Sequence, residues 1–196
     1  MSSALALAAA LRLARADAPR PPPPAPPAGT ATVAPPGFSA VDVKDLLEVK
    51  LDDGAGYAVI LTTHGAKPGR VLPIFIGANE AMAIELRIER MRPPRPLTHD
   101  LLEALLAKLG GTVTKVHVED LRDEVFYGRV FVKAADGKIV TLDARPSDAL
   151  ALAVGAGAPI FVAKHVLDSA AIDADKFSPG PDLDRLFKKR KEVMSL

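Results

Sequence analysis

The stretch DARPSD, residues 143–148, carries four polar side chains directly before a purely apolar run: Asp143, Arg145, Ser147 and Asp148. A serine nucleophile would need a neighbouring general base and an oxyanion hole, and no G-x-S-x-G pattern surrounds Ser147. The same serine suits a helix N-cap, because its hydroxyl can accept from free first-turn N–H groups. Asp148 suits the positive end of that helix. The pattern therefore favours a helix start over serine-hydrolase chemistry.

Asp143 and Arg145 are not needed to start a helix. They fall between the end of a predicted strand and the beginning of the predicted helix, where loops often carry function on a rigid support. An arginine and a carboxylate at such a place form either a structural clamp or part of a site that reads phosphate. The residues alone leave both interpretations open.

A second polar group lies in RPLTHD, residues 95–100, where Thr98 predicts an N-cap with His99 and Asp100 in the first turn. His99 is either an acid/base or metal-binding group beside Asp100, or an exposed residue of the helix start. Glu80 falls in the first turn of an earlier helix, a favourable place for an acid.

The elements that must position these residues follow from the hydrophobic pattern. Strands are predicted at 41–50, 57–63 and 70–77, and a helix capped by Asn79 follows. The helix from Thr98 carries a stripe of leucines that we expect to face a core: Leu101, Leu102, Leu105 and Leu109. A hairpin turning at 121–124, a third antiparallel strand, the helix after DARPSD, a buried strand at 159–163 and a short helix complete the pattern. Strands and helices mix without strict βαβ alternation, which predicts an α+β fold.

Composition narrows the function classes. The 196 residues include 25 basic and 24 acidic side chains, a net charge of +1, so overall charge gives no indication of nucleic-acid binding. Cysteine is absent, which excludes disulfides, thiolate metal sites and a cysteine nucleophile. The four histidines show no metal-ligand spacing, and no apolar run is long enough for a membrane span.

The two ends of the chain differ from the middle. Residues 1–18 fit a cleavable signal peptide in part and an alanine-rich helix otherwise, and residues 19–36 predict an extended proline-rich spacer. We expect a disordered N-terminal segment over 1–37, one domain over 38–175 and a charged tail helix over 176–196. The expected location is cytoplasmic, or exported if residues 1–18 are a signal peptide.

Four stretches together resemble, in the same order, the bifunctional nuclease family, whose domain is also called DUF151: LPIFIGANEAMAIELRIE, RPLTHDLLEALLAKLGG, VHVEDLRDEVFYGRVFV and LDARPSDALALAVGAGAPIFVAKHVLD. The resemblance runs from about residue 41 to 172. It implies one domain with a curved, mixed, largely antiparallel sheet flanked by helices, and homodimers or higher homo-oligomers. Some members of the family cut both DNA and RNA. The plant members' C-terminal UVR motif is replaced here by a short charged tail.

On this resemblance the expected activity is hydrolysis of phosphodiester bonds in DNA or RNA, assisted by Mg²⁺ or Mn²⁺ held by carboxylates. The expected metal ligands are Glu80, Asp143 and Asp148, with Asp100 as a further candidate. The expected catalytic residues are His99, Asp100, Asp143 and Asp148, with His99 as general base. Arg95 and Arg145 are expected to bind phosphate, and Thr98 and Ser147 to cap helices.

The alternative is a non-catalytic oligomeric binding or regulatory module of the same fold. Carboxylates that converge in a cleft would favour catalysis. Carboxylates that each pair with an arginine or a helix N-terminus would favour the binding module.

Overall fold

The computed structural model describes residues 33–51, 54–63, 70–91 and 93–173. Within these residues the strands are β1 (Phe38–Leu51), β2 (Gly54–Thr63), β3 (Arg70–Ile76), β4 (Thr112–Arg122), β5 (Val125–Lys133), β6 (Ile139–Ala144), β7 (Ile160–Ala163) and β8 (Ile172–Asp173). The helices are α1 (Ala78–Ile88), α2 (Thr98–Lys108), α3 (Pro146–Ala156) and α4 (Lys164–Ala170). The predicted signal peptide, the proline-rich spacer up to residue 32 and the tail helix lie outside the described residues.

All eight strands form one open sheet in the order β6-β5-β4-β7-β1-β2-β3-β8. Every neighbouring pair is antiparallel except β4 and β7, which run parallel. The short buried strand β7 inserts between β4 and β1 after the chain has crossed the sheet through α3. The α+β class and the mixed, largely antiparallel sheet predicted from the sequence are confirmed.

The β4–β5 hairpin sets the register of the sheet around the polar motifs. Its two-residue turn, Asp123 and Glu124, has φ values of 48° and 63°, as the type I′ turns that match strand twist require. The register places Arg129 opposite His117 on one side and opposite Asp143 on the other. Residues directly opposite each other in a ladder share a face of the sheet, so these three side chains lie on the same face.

The helices pack on the other face, where the main core lies. Val116, Val118 and Val130 of the sheet are buried in one cluster with Leu150 of α3. Alanines on α3 are also fully buried, and their small side chains let the helix lie close to the sheet and to α1. The apolar run after DARPSD therefore forms a buried helix, as its composition indicated.

The leucine stripe of α2 does not face a core, which makes that expectation wrong. Leu101, Leu102, Leu105 and Leu109 are 64%, 46%, 54% and 67% exposed, and only Leu106 of this helix packs against the main cluster. The predicted cap Asn79 is also wrong, because α1 begins at Ala78 with Gly77 as its N-cap. In the described part of the chain, no helix is long and apolar enough to cross a bilayer.

Candidate functional site

The RPLTHD and DARPSD motifs meet in space. His99, in the first turn of α2, lies with its Nε2 3.0 Å from Oδ1 of Asp148, in the first turn of α3. The His99 side chain is 9% exposed and that of Asp148 29%. A carboxylate at Nε2 holds the imidazole in one orientation and favours the tautomer with its proton on Nε2, so that Nδ1 carries the lone pair.

Arg145 joins a third element to this pair. Its Nε donates to Asp148 Oδ2 at 2.8 Å, and its Nη2 donates to Asp148 Oδ1 at 3.1 Å and to Glu80 Oε1 at 2.6 Å. Glu80 lies in the first turn of α1, so the first turns of three helices converge here. We call Glu80, His99, Arg145 and Asp148 the three-helix cluster. Arg145 remains 65% exposed, and its Nη1 takes part in none of these bonds.

The charges of the three-helix cluster stabilise one another. Burial raises the pKa of the Asp148 carboxyl, but the hydrogen bonds from Arg145 and His99 outweigh that effect and hold its pKa below the usual range. The hydrogen bonds that Arg145 donates to Asp148 and Glu80 raise the pKa of Arg145. Asp148 is therefore a charged acceptor at neutral pH, which is the state that orients a histidine.

The predicted caps Thr98 and Ser147 are both wrong. The N-cap of α3 is Arg145, and Ser147 lies inside the first turn with 7% of its surface exposed. The N-cap of α2 is Leu97, and Thr98 is the first helical residue; neither helix has a side-chain cap from its N-cap residue. Pro146 explains the shift in α3, because proline favours the first helical position, so the cap falls one residue before it.

Asp100 points away from His99 towards α1. Its Oδ2 accepts from the backbone N–H of Leu97 at 2.9 Å, and its Oδ1 accepts from Arg87 Nη2 at 3.0 Å. Arg87 also donates to Glu103 at 3.2 Å and to the carbonyl of Ala83 at 2.9 Å, with a side chain only 2% exposed. Asp100 thus holds the start of α2 and does not join the three-helix cluster. It does not lie beside the other residues that were predicted to be catalytic at DARPSD.

Gly128 fixes the approach of the DARPSD segment. A Cβ at this position would lie 2.7 Å from the carbonyl oxygen of Ala144 and 3.1 Å from the nitrogen of Pro146. Real Cβ atoms do not come so close to backbone, so only glycine lets β5 pass directly under the end of β6.

Asp143 lies on the opposite face of the sheet from the core. Its ladder partner is Arg129, whereas the next pair, Leu142 and Val130, lies on the core face. On this face Asp143 borders a cavity of about 510 Å³, which we call the open-face cleft, lined also by Phe38, Glu119, Asp120, Arg122, Tyr127, Gly128 and Arg129. Glu119 accepts from Arg129 at 2.7 Å, and Asp120 accepts from Arg122 at 2.6 Å. Among the described residues Asp143 has no hydrogen-bond or ion-pair partner.

Comparison with known proteins decides the family. The bifunctional nuclease domain matches residues 59–175, more than half of the chain, from the middle of β2 to just beyond β8. The chain belongs to the bifunctional nuclease domain family. All residues of the three-helix cluster and most of the open-face cleft lie inside the matched region.

Relatives within this family differ in distance. An uncharacterized protein of Mycobacterium tuberculosis is 40% identical over 113 residues, 58% of this chain and 66% of that protein. Bifunctional nuclease 1 of Arabidopsis thaliana is 27% identical over 142 residues, 69% of this chain and 44% of its own length. Bifunctional nuclease 1 of Oryza sativa subsp. indica is 22% identical over 120 residues, 60% of this chain and 36% of its own length. The chain thus spans less than two thirds of the length of each of these relatives.

The carboxylates proposed from the sequence to hold Mg²⁺ or Mn²⁺ do not fit a metal site of this family member. Glu80 and Asp148 face the same guanidinium, and Asp143 lies across the sheet from both. In the described ranges no three His, Asp or Glu side chains group so that they could hold a metal ion. A hard divalent ion needs several converging oxygens, so we assign no chemical step to one.

Two features of this domain were not found by sequence reasoning. The first is the buried Arg87, for which the available signal was its position four residues after the buried Ala83 and three after the buried Ile84. The open-face cleft was missed because its residues come from four strands, β1, β4, β5 and β6, and only the pairing of these strands brings Glu119, Arg129 and Asp143 together. Arg95 lies exposed in the segment before α2 and has no partner among the described residues.

Proposed function

We propose that this protein is a nuclease that hydrolyses phosphodiester bonds of DNA or RNA at the three-helix cluster. The observation that carries the proposal is the 3.0 Å contact between His99 and Asp148, which unites the two polar motifs. Membership of the bifunctional nuclease domain family and the names of the plant relatives support the substrate class.

The arrangement supports a division of labour. Asp148 orients His99 through Nε2, and the lone pair at Nδ1 takes a proton from the attacking water. Arg145 offers the free N–H groups of Nη1 to a phosphate oxygen, and the first turns of three helices add donors and positive potential on the same side. Arg95, exposed and unpaired among the described residues, contacts a neighbouring phosphate.

A hydrolysis assay tests this proposal. Purified protein is incubated with single- and double-stranded DNA and RNA in Mg²⁺, in Mn²⁺ and in EDTA. Asp148→Asn is expected to lower kcat/KM by about 10²- to 10⁴-fold, the usual contribution of acid–base catalysis. Asp168→Asn is the matched control, because Asp168 is an exposed aspartate of α4 without a partner in the described part of the chain. Equal activity of both variants would refute the assignment.

A second candidate is a nucleic-acid-binding module without catalysis. It is favoured by one observation: the carboxylates of the cluster and its surroundings are held by arginines, with Glu80 and Asp148 on Arg145 and Asp100 on Arg87. The same assay separates the candidates. Binding of oligonucleotides without cleavage in Mg²⁺, in Mn²⁺ and in EDTA supports the binding module without catalysis.

We also propose that the protein forms homo-oligomers through β6 and the exposed leucines of α2. In the described part of the chain β6 is an edge of the sheet, and Val140 and Leu142 on it are 46% and 50% exposed. An edge strand can pair with its own copy in an antiparallel, self-complementary way. Light scattering should give a smaller mass for Leu105→Glu than for the wild type and for the control Val33→Glu; a wild-type monomer contradicts the proposal.

A further inference from the structure

The open-face cleft contains an unpaired charge that the proposed reaction does not use. Glu119 holds Arg129 and Asp120 holds Arg122, whereas Asp143 has no partner in the described ranges although Arg129 lies directly opposite it. Cβ atoms of such opposed residues are about 5 Å apart. An acceptor and a donor therefore stand side by side on neighbouring strands, and the acceptor is free.

A second, independent observation concerns His117, which lies next to the cleft residues Phe38 and Glu119. His117 has a side chain 6% exposed, and its Nε2 has no hydrogen-bond partner among the described residues. Its ring lies 4.4 Å from that of Phe38, and its Nδ1 lies 3.6 Å from Oε1 of Glu119, both cleft-lining residues. Buried polar atoms without a partner are rare in folded proteins, and this one belongs to a residue that contacts two side chains of the cleft.

The chemistry of the lining selects the occupant. Phe38 and Tyr127 line the cleft, with the Arg122 guanidinium over the Tyr127 ring and the Phe38 ring against that of His117. Aromatic and arginine side chains together also line the sites that hold unstacked bases of single strands. An ionised carboxylate only accepts hydrogen bonds. Guanine is the base whose Watson–Crick edge offers two adjacent donors, N1–H and N2–H, followed by the acceptor O6, which suits an arginine.

We propose that the open-face cleft binds a guanine base of a single-stranded nucleic acid, with Asp143 accepting from N1–H and N2–H and Arg129 donating to O6. This inference rests on the proposed nuclease function, because it makes the cleft the base-recognition part of the same substrate site. Arg145 follows Asp143 by two residues, about 7 Å along an extended chain. Because Asp143 lies across the sheet from the Glu80 and Asp148 that Arg145 binds, the nucleic acid passes around the edge strand β6 to bring a neighbouring phosphate to Arg145.

Calorimetric titration with the four nucleoside 5′-monophosphates tests the recognition directly. Guanosine monophosphate should bind at least about 10-fold more tightly than the other three, as expected of a bidentate base contact. Asp143→Asn should remove that preference, because the amide replaces one acceptor by a donor. Asp168→Asn should keep it. Equal affinity for all four nucleotides, or no binding, would overturn the inference.

Mapping of cuts in an end-labelled single-stranded oligonucleotide separates this inference from the proposed function. The wild type should cut beside guanines, and the ratio of cuts beside guanine to cuts elsewhere should approach one in Asp143→Asn. Cutting without base preference in both proteins refutes the cleft assignment and leaves the nuclease standing. Guanine-selective binding that depends on Asp143, without any cutting, refutes the nuclease and leaves the cleft.

Discussion

Replacement of Arg87 by methionine tests how the site is held together. The Arg87 side chain is 2% exposed and links α1 to α2 through Asp100 and Glu103, whose side chains are 15% and 19% exposed. Methionine fills a similar volume, so the loss is mainly electrostatic. The variant removes one donor each from Asp100, Glu103 and the Ala83 carbonyl.

The expected cost follows from these exposures. Breaking a buried ion pair by removing one partner costs about 3–5 kcal/mol. Because both carboxylates retain some contact with water, we expect the lower end, about 3 kcal/mol. For a domain of this size that corresponds to a fall in Tm of roughly 10 °C.

Urea unfolding followed by circular dichroism measures this cost. Arg122→Met is the matched control, because Arg122 makes an even shorter bond to Asp120, 2.6 Å, yet its side chain is 66% exposed. Surface pairs contribute little to stability, so this variant should keep the wild-type midpoint. Equal midpoints for Arg87→Met and Arg122→Met would show that burial does not increase the contribution of the Arg87 ion pairs to the free energy of unfolding.

Two further predictions concern Gly128 and His117. Gly128→Ala should lower stability by about 1–3 kcal/mol through overpacking, because the added methyl would meet the backbone of the DARPSD segment. For the same reason it should also lower nuclease activity. The control Gly137→Ala has a φ of 84° and no atom within 4 Å of the added methyl, so it should lower stability without lowering activity. Burial and nearby Lys115 lower the pKa of His117 to about 4, against the weaker opposing effect of Glu119. In the unfolded chain the imidazole of His117 takes up its proton near pH 6.5. The contribution of His117 to the free energy of unfolding is therefore constant above pH 6.5 and falls by about 3 kcal/mol as the pH drops to 4. Urea midpoints should fall less steeply over this range in His117→Phe, and parallel curves would contradict the prediction.

Local patterns predicted most of the elements because their causes are local. The alternation of β4 and β5 and the turn between them identify the hairpin without reference to the rest of the chain. The α2 stripe failed for the opposite reason: helical periodicity shows that Leu101 and Leu105 share a side of the helix, but not whether anything covers that side.

The candidate site was predictable in part. Sequence reasoning placed His99, Arg145, Asp148 and Glu80 at helix starts, but the contact of Arg145 with Glu80 spans 65 residues and depends on how α1 and α3 pack. The family resemblance grouped Asp143 with Asp148 as metal ligands. Strand alternation sends it to the other face instead, and the face is decided by the register of β6 on β5.

Chemical rescue of His99 tests whether its imidazole transfers the proton during hydrolysis. His99→Ala removes the ring beside Asp148, and hydrolysis of a single-stranded oligonucleotide should fall by about 10²- to 10⁴-fold. Added imidazole should restore part of the rate in His99→Ala, in proportion to its neutral form, and leave the wild type unchanged. Wild-type rates in His99→Ala, with the fold verified by circular dichroism, would contradict the assignment of proton transfer to this pair.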